Sequence, residues 1–178
     1  MKKFILLSIL LASVCFAQSK ETPLTDARAE CQFSFEKLAQ CFYRIPNYTI
    51  TADIESENIA NDEKSLKKIY ISTNGNQQTL EVSKDTNILS GDIGYISFTD
   101  INFDKVPDLA ITTSFGTPNL YLDYWIFDSK EQKYLAVGNH PKFDINKQKK
   151  TLNAKIKDSA DNYQNIEWHW NNNTLEKR

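Results

Sequence analysis

From Asn47 onward, apolar side chains recur at every second position far more often than at every third or fourth, in short runs bounded by turn residues. Successive side chains of a strand point to opposite faces, so this is the period of a half-buried β-strand and not of a helix. "YTITADIE" alternates in this way, and "LKKIYIST" and "QTLEVS" flank "NGNQ", whose Asn74-Gly75 pair is a strong short-range hairpin signal. "IGYISFTD", "DLAITTSF", the "LYLDYWIFD"/"KYLAVG" pair around "SKEQ", and "TLNAKIKD" with "QNIEWHWN" bring the total to about eight strands joined by tight connections. The expected fold is mainly β: one antiparallel meander domain over residues 18–178, of sandwich or small propeller-like form. Residues 26–42 are the ambiguous part, because Leu38, Cys41 and Phe42 sit at helical spacing while Cys31, Phe33 and Phe35 alternate. A short helix pinned to the sheet is expected there in preference to an edge strand.

The opening "MKKFILLSILLASVCFAQ" has two lysines, an apolar run and then small residues, the pattern of a secretory signal peptide over residues 1–17 with cleavage before Gln18. A lipoprotein would need a small residue before Cys15, and Val14 fits that poorly. The expected location is periplasmic. Without Lys2 and Lys3 the mature chain carries 19 basic against 23 acidic residues, a net charge of about −4, which argues against nucleic acid or an anionic membrane as partner. The one dense basic run, Lys147, Lys149 and Lys150, reads as a solvated turn.

Cleavage also removes Cys15, leaving Cys31 and Cys41 as the only thiols of an exported protein, and a disulfide between them is expected. Closing a loop of that length contributes about 2–3 kcal/mol in the chain-entropy picture.

"DINFDKVPD" places oxygen-bearing side chains at its first, third, fifth and ninth positions. Calcium takes six to eight oxygen ligands at flexible geometry, so alternate residues of one loop can supply most of them. Asp100, Asn102, Asp104, the Val106 carbonyl and Asp108 form the expected Ca²⁺ set, at the weak affinity of extracellular modules. Ile111 stands where a helix-loop-helix site has glutamate, so the loop is read as a connection between strands. Lys105 stands where such loops favour glycine at positive φ, and the competing reading is a turn whose carboxylates cap backbone amides with no ion.

No motif pairs a nucleophile with a base, and the chain is read as a non-enzyme. Glu167 and His169 share a strand face in "IEWHW", where an exposed ion pair opposite the apolar Ile166, Trp168 and Trp170 is preferred over an acid–base pair. In "NLYLDYWIFD" both faces are apolar or aromatic. Either that strand is buried on both sides, the preferred reading for Trp125 and Phe127, or one face recognises a partner. The preceding loop offers Ser114, Phe115, Gly116, Thr117, Asn119 and Tyr121 as candidate partner contacts, with "SGDIGY" at residues 90–95 as a second candidate.

The signal peptide, the strand entering "DINFDKVPDLAI", the "YWIFDSKEQKYL" hairpin, "PKFDINKQKKTL" and the final "IEWHWNNNTLEK" together resemble a group of periplasmic proteins. These are relatives of the inhibitors of invertebrate-type lysozyme and of immunity proteins against peptidoglycan-hydrolase effectors of type IV secretion systems. The aspartate loop itself looks like the calcium hairpins of FG-GAP repeats. The resemblance, over residues 90–177, implies a compact β-structure with a calcium loop and a function of inserting a loop into a lysozyme-like active site. A calcium-stabilised secreted module binding glycans or another surface partner is the alternative.

Overall fold

A computed structural model describes residues 29–38, 40–171 and 174–178, and its regular structure is entirely β-strand. The expected signal peptide and its cleavage site lie outside the described residues. The strands are β1 (Glu30–Ser34), β2 (Gln40–Ile45), β3 (Tyr48–Ala60), β4 (Glu63–Thr73), β5 (Asn76–Glu81), β6 (Asn87–Leu89) and β7 (Ile93–Thr99). They continue with β8 (Asp108–Thr112), β9 (Tyr121–Asp128), β10 (Lys133–Pro141), β11 (Asp144–Asn146), β12 (Thr151–Lys157), β13 (Tyr163–Asn171) and β14 (Thr174–Lys177).

The strands form three antiparallel sheets, each built mainly as a meander. The first sheet runs β2-β3-β4-β5 with β6 added on β4, the second β1-β7-β8-β9-β10, and the third β11-β12-β13-β14. Each is open, and apart from β1, which pairs with β7 with the whole first sheet between them in sequence, and β6 on β4, neighbouring strands are sequential. At the β4–β5 turn Asn74 and Gly75 both adopt positive φ, 51° and 90°, the twist-matched hairpin geometry that their residue types favour.

The second sheet is the middle layer. One of its faces meets the first sheet in a core that includes Phe33, Ile50, Ile69, Ile96, Phe98, Leu109, Trp125 and Phe127. The other face meets the third sheet around Ile101, Leu122, Tyr124, Phe143, Leu152 and Trp168. This explains β9, whose alternate residues enter different cores, and β8, in which all five residues are buried. A strand covered on both sides has no polar face to show.

The region expected to hold a short helix forms β1 and β2 instead. Phe33 is 1 % exposed and β1 pairs with β7 from Glu30↔Ser97 to Ser34↔Ile93, so the alternation of Cys31, Phe33 and Phe35 prevails. The helical spacing further on is incidental: Cys41 points into the core while Phe42 on the same strand points out. Burial of one phenylalanine side chain stabilises by about 2–3 kcal/mol, which outweighs a marginal preference for a helix too short to stand alone.

Buried polar groups tie the layers together. The Gln78 amide donates to the Tyr134 carbonyl at 2.8 Å and accepts from its N–H at 2.7 Å, joining the first sheet to the edge of the second. Asp123 accepts from Ser83 N and Ser83 Oγ, both at 2.6 Å, and from Asn139 Nδ2 at 2.8 Å. Trp170 Nε1 donates to the Ile101 carbonyl at 2.7 Å, holding the third sheet against the aspartate loop.

Candidate functional site

The aspartate loop, residues 100–107, connects β7 to β8. Lys105 has φ 71° and Phe103 φ 64°, so the turn is as sharp as its spacing suggested, and a side chain held in that region costs about 1 kcal/mol at each position. Asp100 accepts from the N–H of Asp104 at 3.1 Å and of Lys105 at 2.9 Å. Asn102 Oδ1 accepts from Asp104 N at 3.1 Å, and Asp104 Oδ1 from Val106 N at 2.7 Å. A carboxylate has about four acceptor directions, so these bonds leave lone pairs on Asp100, Asn102 and Asp104 for an ion.

Asp108 does not join them. It is 1 % exposed, and its oxygens accept from Ile101 N at 2.8 Å, Asn102 N at 3.3 Å and Phe127 N at 2.9 Å. The carboxylate expected to close a calcium site is thus turned inward as a clasp between the loop and β9. Among the described residues no three acidic, histidine or cysteine side chains converge as a metal cluster. The donor set fits calcium in part: two carboxylates, the Asn102 amide oxygen and the Val106 carbonyl remain, with the fifth group withdrawn.

The aspartate loop does not brace the candidate contact loop, because the topology separates the two. Consecutive connections of a meander leave from opposite ends of the shared strand. The aspartate loop sits at the start of β8 and residues 113–120 at its finish, across five residues or about 17 Å.

The contact loop is stiffened by other means. Ser114 Oγ accepts from Tyr121 N at 2.7 Å and donates to the Asn119 carbonyl at 3.1 Å. The Asn119 side chain pairs with both backbone groups of Lys157, at 2.9 and 2.7 Å, fastening the loop to the third sheet. Phe115, offered by the sequence as a partner contact, packs on the first core edge-to-face with Phe33, ring centroids 6.3 Å apart. Of the predicted contacts, Ser114, Phe115 and Asn119 are therefore supports, and Tyr121 is half-buried. Gly116, Thr117 and the adjoining Pro118 form the exposed tip, with Gly116 at φ 64°.

The second candidate loop comes to the same end of the molecule. The register of β7 on β8 brings the start of β7 beside the end of β8, and Tyr95 N donates to Thr112 Oγ1 at 3.1 Å. Leu89 and Ile93 flank the Ser90-Gly91 turn and are 50 % and 49 % exposed, and Asp92 closes that turn on Leu89 N at 2.9 Å. Leu89 also lies in register with Glu63, which pairs with Ala60 beside the 54 % exposed Ile59. Ile93 lies within the second candidate loop, whereas Leu89 and Ile59 were passed over, since isolated apolar residues in alternating strands read as core.

Cys31 and Cys41 are both thiols in the structure and not the expected disulfide. Cys41 is fully buried, and burial together with the neighbouring Cys31 thiol pushes its pKa well above the ordinary range. Glu167 and His169 each pair with a different partner, Arg178 and Glu176, both at 3.6 Å on the exposed side of the third sheet. The two therefore do not form the ion pair with each other expected from the sequence; each meets a residue at the chain's C-terminal end instead.

No protein-family model, curated protein or solved structure matches the chain.

Proposed function

We propose that this chain is an exported, periplasmic, non-catalytic protein that binds and blocks a peptidoglycan hydrolase of the lysozyme class. The observation that carries the reading is the end face just described. A stiff, uncharged tip at Gly116, Thr117 and Pro118 stands beside a turn flanked by two half-exposed aliphatic residues, Leu89 and Ile93. Grouped exposed apolar side chains mark protein contact surfaces, and a pre-ordered loop loses little entropy on binding. The resemblance of residues 90–177 to lysozyme inhibitors supplies the partner class. Glycosidase clefts hold paired carboxylates, which a neutral tip can approach without burying an unpaired charge. Calcium belongs to the proposal as a weak ligand of Asp100, Asn102, Asp104 and the Val106 carbonyl, with water in place of Asp108. It would stiffen the end of the molecule remote from the contact surface.

Pull-down of the chain from Gln18 against a panel of lysozyme-like enzymes, with a lysis assay, tests this. Ile93→Glu combined with Pro118→Asp should weaken capture by roughly 10-fold or more while leaving the melting temperature unchanged, because both side chains are exposed. Absence of binding and protection across the panel, or full binding by the double variant, would sink the proposal.

For the thiol pair, we propose oxidation to a disulfide on export by thiol–disulfide exchange with a disulfide-bearing oxidase of the periplasm, which is reduced to its dithiol and so takes up the two electrons and two protons. The bond would join β1 of the second sheet to β2 of the first, since the two cysteines already neighbour each other. Reduction of periplasmic material should then cost about 2–3 kcal/mol in urea melts. Two thiols titrating in freshly isolated, unfolded protein would refute it.

A further inference from the structure

We propose that the outward face of the first sheet is a binding site for an uncharged oligosaccharide, laid over the hollow beside the Tyr70 ring. The register places two neighbouring rungs of outward side chains there. Gln40, Asp53, Tyr70 and Thr79 lie in line on one, and Phe42, Thr51, Ser72 and Gln77 on the other. Each rung holds one exposed aromatic, Tyr70 at 45 % and Phe42 at 38 %, and otherwise small hydroxyls, primary amides and one carboxylate. The short hydroxyl residues beside the Tyr70 ring leave a depression of about 390 Å³ whose lining includes Thr51, Asp53, Tyr70, Ser72, Gln77 and Thr79.

Three properties of this face define its ligand. The first is charge. The next rung beyond Tyr70 is Glu55, Lys68 and Glu81, an ordinary solvated set, whereas the two central rungs carry no lysine, arginine or glutamate. On the Phe42 side the next outward residue is Arg44, whose guanidinium lies over the Phe42 ring, 5.4 Å from its centroid, while the hollow itself is lined by no cation. An anionic polymer entering the hollow would meet Asp53.

The second is unspent hydrogen-bonding capacity. The side chains of Thr51, Ser72, Gln77 and Thr79 make no hydrogen bond among the described residues, and Asp53 receives one long contact from Gln40 at 3.4 Å. Hydroxyls both donate and accept, the amide does both at fixed geometry, and the carboxylate accepts two donors side by side. That combination suits the vicinal hydroxyls of a sugar.

The third is a fixed ring. The Tyr70 hydroxyl bonds to Glu55, which sets the ring's orientation on the sheet and leaves it exposed. An aromatic face so held offers apolar area at low entropic cost to the C–H side of a pyranose. A protein partner of ordinary type would look for aliphatic contact on these rungs, and they hold none.

The inference stands on a different surface from the proposed hydrolase contact, so either can fail without the other. The test is titration of isotope-labelled protein with cello-oligosaccharides and with chito-oligosaccharides, followed by amide chemical shifts. Millimolar sugar should shift amides of β2 to β5 around Thr51 and Tyr70. Tyr70→Ala should weaken binding by roughly 10-fold, and Thr51→Lys, which fills the hollow, should abolish it, both at unchanged melting temperature. The Ile93→Glu/Pro118→Asp variant should bind sugar as the wild type does. No shift with either sugar series, or shifts that survive Thr51→Lys, would overturn the assignment. Preference for a sulfated over a neutral oligosaccharide would do so as well.

Discussion

Asp108→Ala is expected to destabilise the fold by about 3–5 kcal/mol, because it leaves two buried amide donors and a third, half-buried one without an acceptor. The N–H groups of Ile101, Asn102 and Phe127 all end on this one side chain, which joins the aspartate loop to the central strand β9. Asp104→Ala, a few residues away on the exposed side of the same loop, should cost far less, since it loses only the bond to Val106 N and a contact to Asn102. Calcium separates the two further. Millimolar calcium should raise the melting temperature of the wild type, and Asp104→Ala should lose that response while remaining folded without the ion. Were Asp108→Ala as stable as the wild type in the absence of calcium, the clasp would be refuted. If calcium had no effect on the wild type, the metal would go.

Asp108 also carries a pH signature. Burial pushes its carboxyl from 3.8 up to about 7, with the Phe127 and Ile101 amides pulling the other way and Asp104 adding to the rise. Between those values the folded protein holds a proton that the unfolded chain has released, so protonation favours the fold. The contribution is full below about pH 4 and fades as pH rises through about 7. Urea melts at about pH 5 and about pH 8 should show the wild type losing stability over that interval. Asp108→Asn cannot titrate and should show less of that loss; an equal loss in both proteins would assign the slope to other groups.

Gly94→Ala is expected to cost about 1–3 kcal/mol, and more if the backbone must move. Three ring carbons of Phe33 lie within 3.0 Å of where a Cβ on residue 94 would stand. Phe33 is among the largest fully buried side chains, with no room to retreat. Its displacement reaches the proposed contact surface, because Phe115 packs on the same ring. Gly94→Ala should therefore reduce hydrolase binding as well as stability. The paired substitution Gly94→Ala/Phe33→Leu, which relieves the clash, should recover part of the stability. A melting temperature unchanged in the single variant would show that the ring is not held as described.

Much of the β-structure was legible because strand formation is read from local period. The alternation in "YTITADIE" and "IGYISFTD" and the Asn74-Gly75 pair each specify their own geometry within a few residues. Even the positive φ at Lys105 follows from the spacing of the oxygens around it. β1 was misjudged because its alternation acquires meaning only when Phe33 meets Gly94 and Phe115, residues about 60 and 80 positions away.

The chain alone thus determined that it would be a set of antiparallel strands with a tight, oxygen-rich turn between two of them. The tertiary structure decided that the second meander is the middle layer, that Asp108 faces inward and that the two conspicuous loops leave opposite ends of β8. It also decided that residues 90–95 and 114–121 share an end. The physical reason is that period fixes which side chains share a face of one strand, whereas layer order and the direction of a buried carboxylate depend on which distant surfaces exclude water together.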